Sequence, residues 1–255
     1  MKLSVAIVCC NEERNIGRTL ASVIAAADEV VLVDSGSTDR TLEIAAAFGP
    51  KVRVLHEPWR GFSGQKNFSI EQCTGDWVLS LDADEEVSPE LAANLRPLIE
   101  RATVDAIIVN RRLMFLGRWI RRAGLYPDPK VRLFRRGKAW YEDRPVHESI
   151  HFDGPTQHSR GDLIHWAYHT LDDFIEHCNR YSTLGAPMVS RSKARWVFVN
   201  TALRPAIRFV YDYFFRFGWL DGRPGLIWHL NHSAYVSLKY AKAWELQKNS
   251  QATAR

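Results

Sequence analysis

Four short apolar runs, each followed by a segment of helical period, do most to limit the folds open to this chain. Leu3 to Cys9, Glu29 to Val33, Val52 to Leu55 and Asp76 to Leu81 read as strands. After the first, Ile16, Leu20, Val23 and Ile24 make the apolar stripe of a helix that Asn11 is placed to cap, with Glu12 and Glu13 in its first turn. Thr41 to Phe48 and Gly64 to Gln72 read as the next helices. Ser88 then caps a fourth, with Pro89 at its first position and Leu91, Leu95, Leu98 and Ile99 facing inward. Strand and helix in alternation predict an α/β fold, a mostly parallel, doubly wound sheet with helices on both faces. No internal repeat and no low-complexity segment interrupts the pattern.

Polar groups gather where three of these strands end. Val8-Cys9-Cys10-Asn11-Glu12 closes the first, Asp34 closes the second within Asp34-Ser35-Gly36-Ser37-Thr38-Asp39, and Asp82-Ala83-Asp84 closes the run Trp77 to Leu81. In a parallel sheet these ends share one edge, where open α/β sheets bind ligands. A strand alternates its side chains, so Asp82 and Asp84 leave on the same side of the sheet. Two carboxylates are too few to cage Mg²⁺ or Mn²⁺, ions that complete their shells with substrate phosphates and water, so the pair points to a diphosphate ligand. The competing reading is a strand-to-helix turn in which Asp serves only as a cap. Neither the G-x-G-x-x-G dinucleotide fingerprint nor a Walker lysine loop is present, which argues against NAD enzymes and P-loop kinases.

Composition narrows the partners. A chain of 255 residues with 46% hydrophobic and 25% charged residues is long enough for one catalytic domain plus an appendage. A formal charge of +5 favours phosphate- or carboxylate-bearing partners. With no recognisable nucleic-acid-binding module, no nucleic-acid partner is expected. Cys9 and Cys10 inside an apolar strand read as small core residues and not a disulfide framework, which fits a reducing cytosol. The short apolar start before Asn11-Glu12-Glu13-Arg14 does not read as a secretory signal, and no apolar run is long enough to span a bilayer.

These residues resemble the family 2 glycosyltransferases, which have the GT-A fold. The matching segments are Ser4-Val5-Ala6-Ile7-Val8 with Cys10-Asn11-Glu12-Glu13, then Val31 to Asp39, Gln65-Lys66-Asn67, and Gly75 to Glu85. Further strings resemble the subgroup of lipopolysaccharide inner-core β-1,4-glucosyltransferases: Lys130-Val131-Arg132-Leu133-Phe134-Arg135, Val146-His147-Glu148, Asn179 to Thr183 and Leu220 to Gly225. The resemblance implies that the backbone around Cys10 and the side chains of Glu12 and Asp34 contact the nucleobase, a carboxylate suiting the ring N–H of uracil. It places Lys66 near the nucleotide, Asp82 at the ribose and metal region, and Asp84 on a divalent cation, Mg²⁺ or Mn²⁺, with His165 completing the metal site. Cys10 departs from the pattern, since many relatives carry an aromatic residue that stacks on the base.

The implied reaction is inverting transfer of a hexose, glucose by the subgroup, from a UDP-linked donor to a hydroxyl of a lipopolysaccharide-core or other cell-surface glycan. Such a transfer needs a base for the acceptor proton while the nucleoside diphosphate leaves on the metal. Glu148 is preferred for that role and Asp143 is its competitor, because Arg144 is placed to pair with a neighbouring carboxylate. A structural salt bridge is the other role open to Glu148. A transfer to polyprenyl phosphate would need no base, and a catalytically silent sugar-nucleotide or glycan binder on the same scaffold is the alternative from outside enzymology. Six of the nine histidines lie between His147 and His177, but His165 and His169, read as sharing a helical face, lack the intervening glutamate of a zinc hydrolase. Arg132, Arg135 and Arg136 read either as a solvated strand face or as a phosphate contact for the acceptor.

The last third changes character. Arg204, Arg208, Asp212 and Arg216 recur every four residues, one polar stripe on an otherwise apolar helix beginning near Pro205. A second helix follows Gly225, with Ile227, Leu230, Ala234, Leu238 and Ala241 on one side and Lys239, Lys242 and Lys248 facing solvent. Two domains are therefore expected: 1–190 as the GT-A domain, with a nucleotide half to about 105 and an acceptor half beyond it, and 191–255 as an aromatic-rich helical extension. The extension suits an anionic membrane interface, which would make the protein cytoplasmic and peripheral on the inner membrane face, but packing on the catalytic domain or a second subunit also fits it.

Overall fold

The computed structural model describes residues 1–142, 149–190, 193 and 195–253, with residues 251–253 described by backbone alone. Two compact units form, Met1–Arg112 with Pro127–Trp166, and Leu113–Tyr126 with Ala167–Arg255. The helix Leu171–Gly185, expected within a 1–190 domain, belongs to the second unit.

In the first unit, β1 (Leu3–Cys9), β2 (Glu29–Asp34), β3 (Val52–His56) and β4 (Trp77–Asp82) run parallel in the order β3-β2-β1-β4. Helices α1 (Ile16–Val23), α2 (Thr41–Ala46) and α3 (Phe62–Glu71) connect them. A short strand β5 (Glu85–Val87) and helix α4 (Pro89–Arg101) follow. Beyond β4 the sheet turns antiparallel: β8 (Pro129–Arg135) pairs with β4 and with β6 (Ala106–Phe115), and β11 (Thr156–Tyr168) pairs with β5. The sheet is thus mixed, parallel in its first half as expected. Parallel neighbours need crossover connections, and α1, α2 and α3 supply them between β1 and β4.

Alternation along the strands builds the core. Leu3, Val5 and Ile7 of β1 pack with Ile16, Leu20 and Val23 of α1 and with Leu91, Leu95 and Ile99 of α4 on one face. Ala6, Val31, Val33 and Val78 meet Ile70 of α3 and Phe134 on the other. Every one of these side chains is buried, which is why the strands read as continuous apolar runs. Ser88 caps α4 as expected, accepting from the Leu91 N–H at 3.3 Å. Asn11 caps nothing. It sits at φ 56° and its Oδ1 accepts the Thr38 N–H at 2.8 Å, while α1 starts at Ile16 after a turn that the Glu12 carbonyl closes.

The second unit is helical around an aromatic cluster. It contains β7 (Arg118–Ile120), α5 (Leu171–Gly185), a helical stretch Val199–Phe215 whose central turns are α6 (Arg204–Val210), and the long α7 (Gly222–Thr253). Phe115, Phe174 and Trp228 meet at ring distances of 4.8–5.3 Å. The polar stripe holds, since Asp212 is paired with both Arg208 and Arg216. The apolar side expected for α7 does not hold: Leu230 and Leu238 are 48% and 38% exposed, while Trp228, Tyr240 and Ala243 are buried together with the polar His229 and Ser233. The ring of Trp228 has neighbours that only the tertiary fold supplies. Lys242, expected in solvent, bonds instead to Asn179, Ser182 and Thr183 of α5 at 2.7–2.9 Å. Among the described residues no helix is long and apolar enough to cross a membrane.

Candidate active site

Strand register brings the sequence-distant acids together. Cys9 lies opposite Asp34 and Val8 opposite Asp82, so the ends of β1, β2 and β4 form one edge. Strand β4 stops at Asp82, and the chain turns through Ala83 and Asp84 before β5. The expected strand alternation therefore does not extend to Asp84. The backbone carbonyl of Asp84 accepts the Trp166 N–H at 2.9 Å, and His165 lies opposite Glu85 in the β5–β11 pairing. This sets His165 Nε2 3.1 Å from Asp84 Oδ2. His165 and the residues before it are strand, and the strand ends at Tyr168, so no helical face joins His165 to His169.

Asp82 is the hub of a buried charge network. Its Oδ1 lies 2.7 Å from Lys66 Nζ and its Oδ2 accepts from Arg132 at 2.7 Å. The same guanidinium donates to Glu85 at 2.7 Å and to the Tyr141 hydroxyl at 2.8 Å, and Arg111 reaches Glu85 at 3.3 Å. Burial favours neutral Asp82, but Arg132 and Lys66 outweigh it and hold the carboxyl well below its ordinary range. Burial likewise opposes the charge on Lys66, and Asp82 more than restores it. Glu85 and Arg132 were missed as network members: the first reads as one acid in an acidic run, the second as one arginine of a basic cluster. That cluster does not exist, since Arg135 lies over the Trp77 ring and pairs with Asp105 while Arg136 donates to the Gly75 carbonyl.

The loops after β1 and β2 are laced to each other. Asp34 is 1% exposed, and its carboxylate accepts the N–H groups of Gly36 and Ser37 at 3.0–3.2 Å and faces His56 Nδ1 at 3.3 Å. Burial would raise its pKa, yet these hydrogen bonds bring it below the ordinary value. Its carboxylate thus shapes the Ser35–Asp39 turn. Glu12 behaves oppositely. Burial pushes its carboxyl up to about 7; the Asn15 amide at 2.9 Å pulls downward, while the negative charges of Asp84, Asp39 and Asp82 add to the rise. Cys9 is buried but Cys10 is exposed beyond the strand end, so only one of the pair is a core residue. All four cysteines are free thiols.

Each residue of Gln65-Lys66-Asn67 has a role in holding this edge. Fully buried Gln65 donates to Ser35 Oγ at 2.9 Å and to the Glu57 carbonyl at 3.1 Å, and Asn67 exchanges two hydrogen bonds with the Tyr141 backbone at 2.8 and 2.9 Å. Strand β9 (Ala139–Tyr141) pairs with β10 (Ile150–Phe152), and Ser63 Oγ donates to the Glu142 carbonyl at 2.7 Å. Asp143, Arg144, His147 and Glu148 lie outside the described residues. The flanking chain at Tyr141 and Glu142 is nonetheless tied to α3 and to the Lys66–Asp82–Arg132 network.

The donor set is compatible with a divalent cation at Asp84 and His165. The Asp84 carboxylate suits Mg²⁺ or Mn²⁺ and the His165 imidazole a first-row transition metal, whereas Asp82 is engaged by two cationic groups. No group of three or more ligating side chains gathers among the described residues, so substrate oxygens and water would have to complete the shell.

Residues 4–152 match the family described as "Glycosyl transferase family 2". The lipopolysaccharide core biosynthesis glycosyltransferase LpsC of Rhizobium meliloti (strain 1021) is 35% identical over 96% of this chain and 93% of its own length. An uncharacterized glycosyltransferase, RT0209, of Rickettsia typhi is 28% identical, covering 98% of this chain and 89% of its own. The crystal structure of S. aureus TarS 1-349 superposes with a TM-score of 0.50 at 15% identity over 97% of this chain and 92% of that one, and its complex with UDP-GlcNAc gives the same score. The chain belongs to glycosyl transferase family 2 and is a glycosyltransferase with the GT-A fold.

Proposed function

We propose that this protein transfers a hexose, glucose, from a UDP-linked donor to a hydroxyl of a lipopolysaccharide-core or related cell-surface glycan, with inversion and with a divalent cation, Mg²⁺ or Mn²⁺. The observation that carries the reading is the pairing of Asp84 with His165 beside an Asp82 locked by Lys66 and Arg132, at the carboxyl edge of β1, β2 and β4. The name of LpsC supports the acceptor class, and TarS, of the same fold, has been crystallised with a UDP-sugar. The acceptor would be met at an anionic membrane surface on the cytoplasmic side.

In this reading Asp84 and His165 hold the cation, which when bound supplies positive charge to the departing diphosphate. Lys66 and Arg132 keep Asp82 ionised and oriented toward the ribose. Glu12, Asp34 and the backbone at Cys10 meet the uracil edge, and Asp34 also keeps their loop in register. Glu148 takes the proton of the acceptor hydroxyl as its oxygen bonds to the anomeric carbon and the bond to phosphate breaks, releasing UDP. A general base of this kind contributes about 10²–10⁴-fold.

The test is UDP release from a panel of UDP-sugars with Mn²⁺ or Mg²⁺, with and without acceptor. Asp84→Asn and His165→Ala are expected to lower turnover by about 10²-fold or more, and Glu148→Gln by a similar factor. Turnover that survives Asp84→Asn in chelator overturns the metal site. Undiminished transfer by Glu148→Gln overturns the base assignment and favours an acceptor already ionised, such as polyprenyl phosphate.

A further inference from the structure

The stretch from Lys193 to Arg223, wholly within the second unit, combines exposed cations with exposed aromatic and aliphatic side chains. Trp196, Phe198, Ile207, Phe214, Phe215 and Phe217 are 54–76% exposed, far more aromatic surface than a solvated helix needs. Lys193, Arg195, Arg204, Arg208 and Arg223 are exposed as well. The stretch has two carboxylates, Asp212 and Asp221, and both are 3% exposed and internally used. Asp212 binds Arg208 and Arg216, and Asp221 accepts the backbone N–H groups of Arg121 and Arg122 at 2.9–3.0 Å. No exposed acid is therefore left among the described residues of the stretch to balance the cations.

Cations and apolar groups also share one groove. Val199, Leu203, Ile207 and Tyr211, spaced four apart, form a ridge along the helix, and Arg204, which also bonds the Tyr240 hydroxyl, and Arg208, paired with Asp212, line the groove with them. An apolar floor edged by guanidiniums suits an acyl chain joined to a phosphate. Isologous contact with a second copy would set this cationic surface against itself. A nucleic acid would find aromatic faces but also aliphatic side chains on which bases do not stack.

We propose that the Lys193–Arg223 face docks the protein on an anionic phospholipid bilayer, its aromatic side chains in the interface and its arginines on lipid phosphates. This rests on the membrane-surface part of the proposed function, to which it assigns a face, and it is measured without turnover. The full chain is sedimented with vesicles of phosphatidylcholine alone or mixed with phosphatidylglycerol, at low and at raised salt. Binding is expected on the mixed vesicles, weak on the neutral ones, and reduced by salt. Arg195→Glu with Arg223→Glu should lower partitioning about 20-fold or more, taking roughly fivefold for each cation removed. Phe198→Ser with Phe215→Ser, at side chains 76% and 70% exposed, should lower it at every salt concentration while leaving the thermal melt in place. Equal binding to both vesicle types, or binding unchanged in both double variants, overturns the proposal. So does a dimer in sedimentation equilibrium that Phe198→Ser with Phe215→Ser dissociates, which would make the face an interface between copies.

Discussion

Arg132 holds two carboxylates at once, Asp82 and Glu85, and is itself 5% exposed. Burying these charges is unfavourable unless they stay paired, so removing the shared partner is the damaging change. Arg132→Met is expected to lower stability by about 3–5 kcal/mol in urea unfolding, and Arg132→Lys less, because a point charge cannot bridge three oxygens as a planar fork does. A loss below about 1 kcal/mol for the methionine variant would show the acids to be well solvated without it. Glu12 offers a pH test. Its folded carboxyl titrates near 7 against an ordinary 4.5, so the unfolded chain ionises first as pH rises. Stability from this group is complete below about 4.5 and is lost as pH climbs through 7. Asp82, with its pKa lowered, acts in the opposite sense: its contribution is present above the ordinary 3.8 and disappears on acidification. Glu12→Gln should flatten the fall in urea midpoint between pH 5 and 8, and parallel profiles for the variant and the parent would contradict the assigned shift.

At the level of elements, the approach of β11 to α4 depends on a glycine. Gly161 has φ +81°, and a Cβ there would lie 2.4 Å from the Leu91 nitrogen. Its neighbour Asp162 donates its N–H to the Ser88 cap at 3.1 Å, so the strand, the cap and the helix start are one assembly. Gly161→Ala is expected to cost about 2 kcal/mol or more, from strain at positive φ and from overpacking against backbone. A urea midpoint equal to that of the parent would show that the strand can shift away from α4. Because β11 carries His165, the same variant should also weaken the cation-dependent activity proposed above.

For the whole molecule, the proposed ligands bind only the folded chain and so raise its melting temperature. At a ligand concentration near 100 times Kd the gain is about 2.7 kcal/mol, or about 5–10 °C for a chain of this size. UDP with Mn²⁺ should shift the melt more than UDP alone, and Asp84→Asn should remove the difference between them. No added shift from Mn²⁺ in the parent protein would argue against a cation bridging Asp84 and the diphosphate.

The local pattern determined much of this protein by itself. Apolar periodicity placed β1, β2, β4, α1 and α4 within a few residues, because a strand buried on both faces and an amphipathic helix each carry their period in consecutive residues. The capping of α4 by Ser88 and Pro89 was legible for the same reason, and the acidic strand ends were visible as candidates. What those acids touch was decided by tertiary structure. Asp82 meets Lys66 and Arg132 only because β8 pairs with β4 and α3 packs beneath them, and Asp84 meets His165 only through the β5–β11 register. The same holds for Glu85, a fully buried acid inside a charged run, and for Lys242, drawn from solvent to the oxygens of α5. Pairing between strands is set by hydrogen-bond register across long separations, and no local period encodes it.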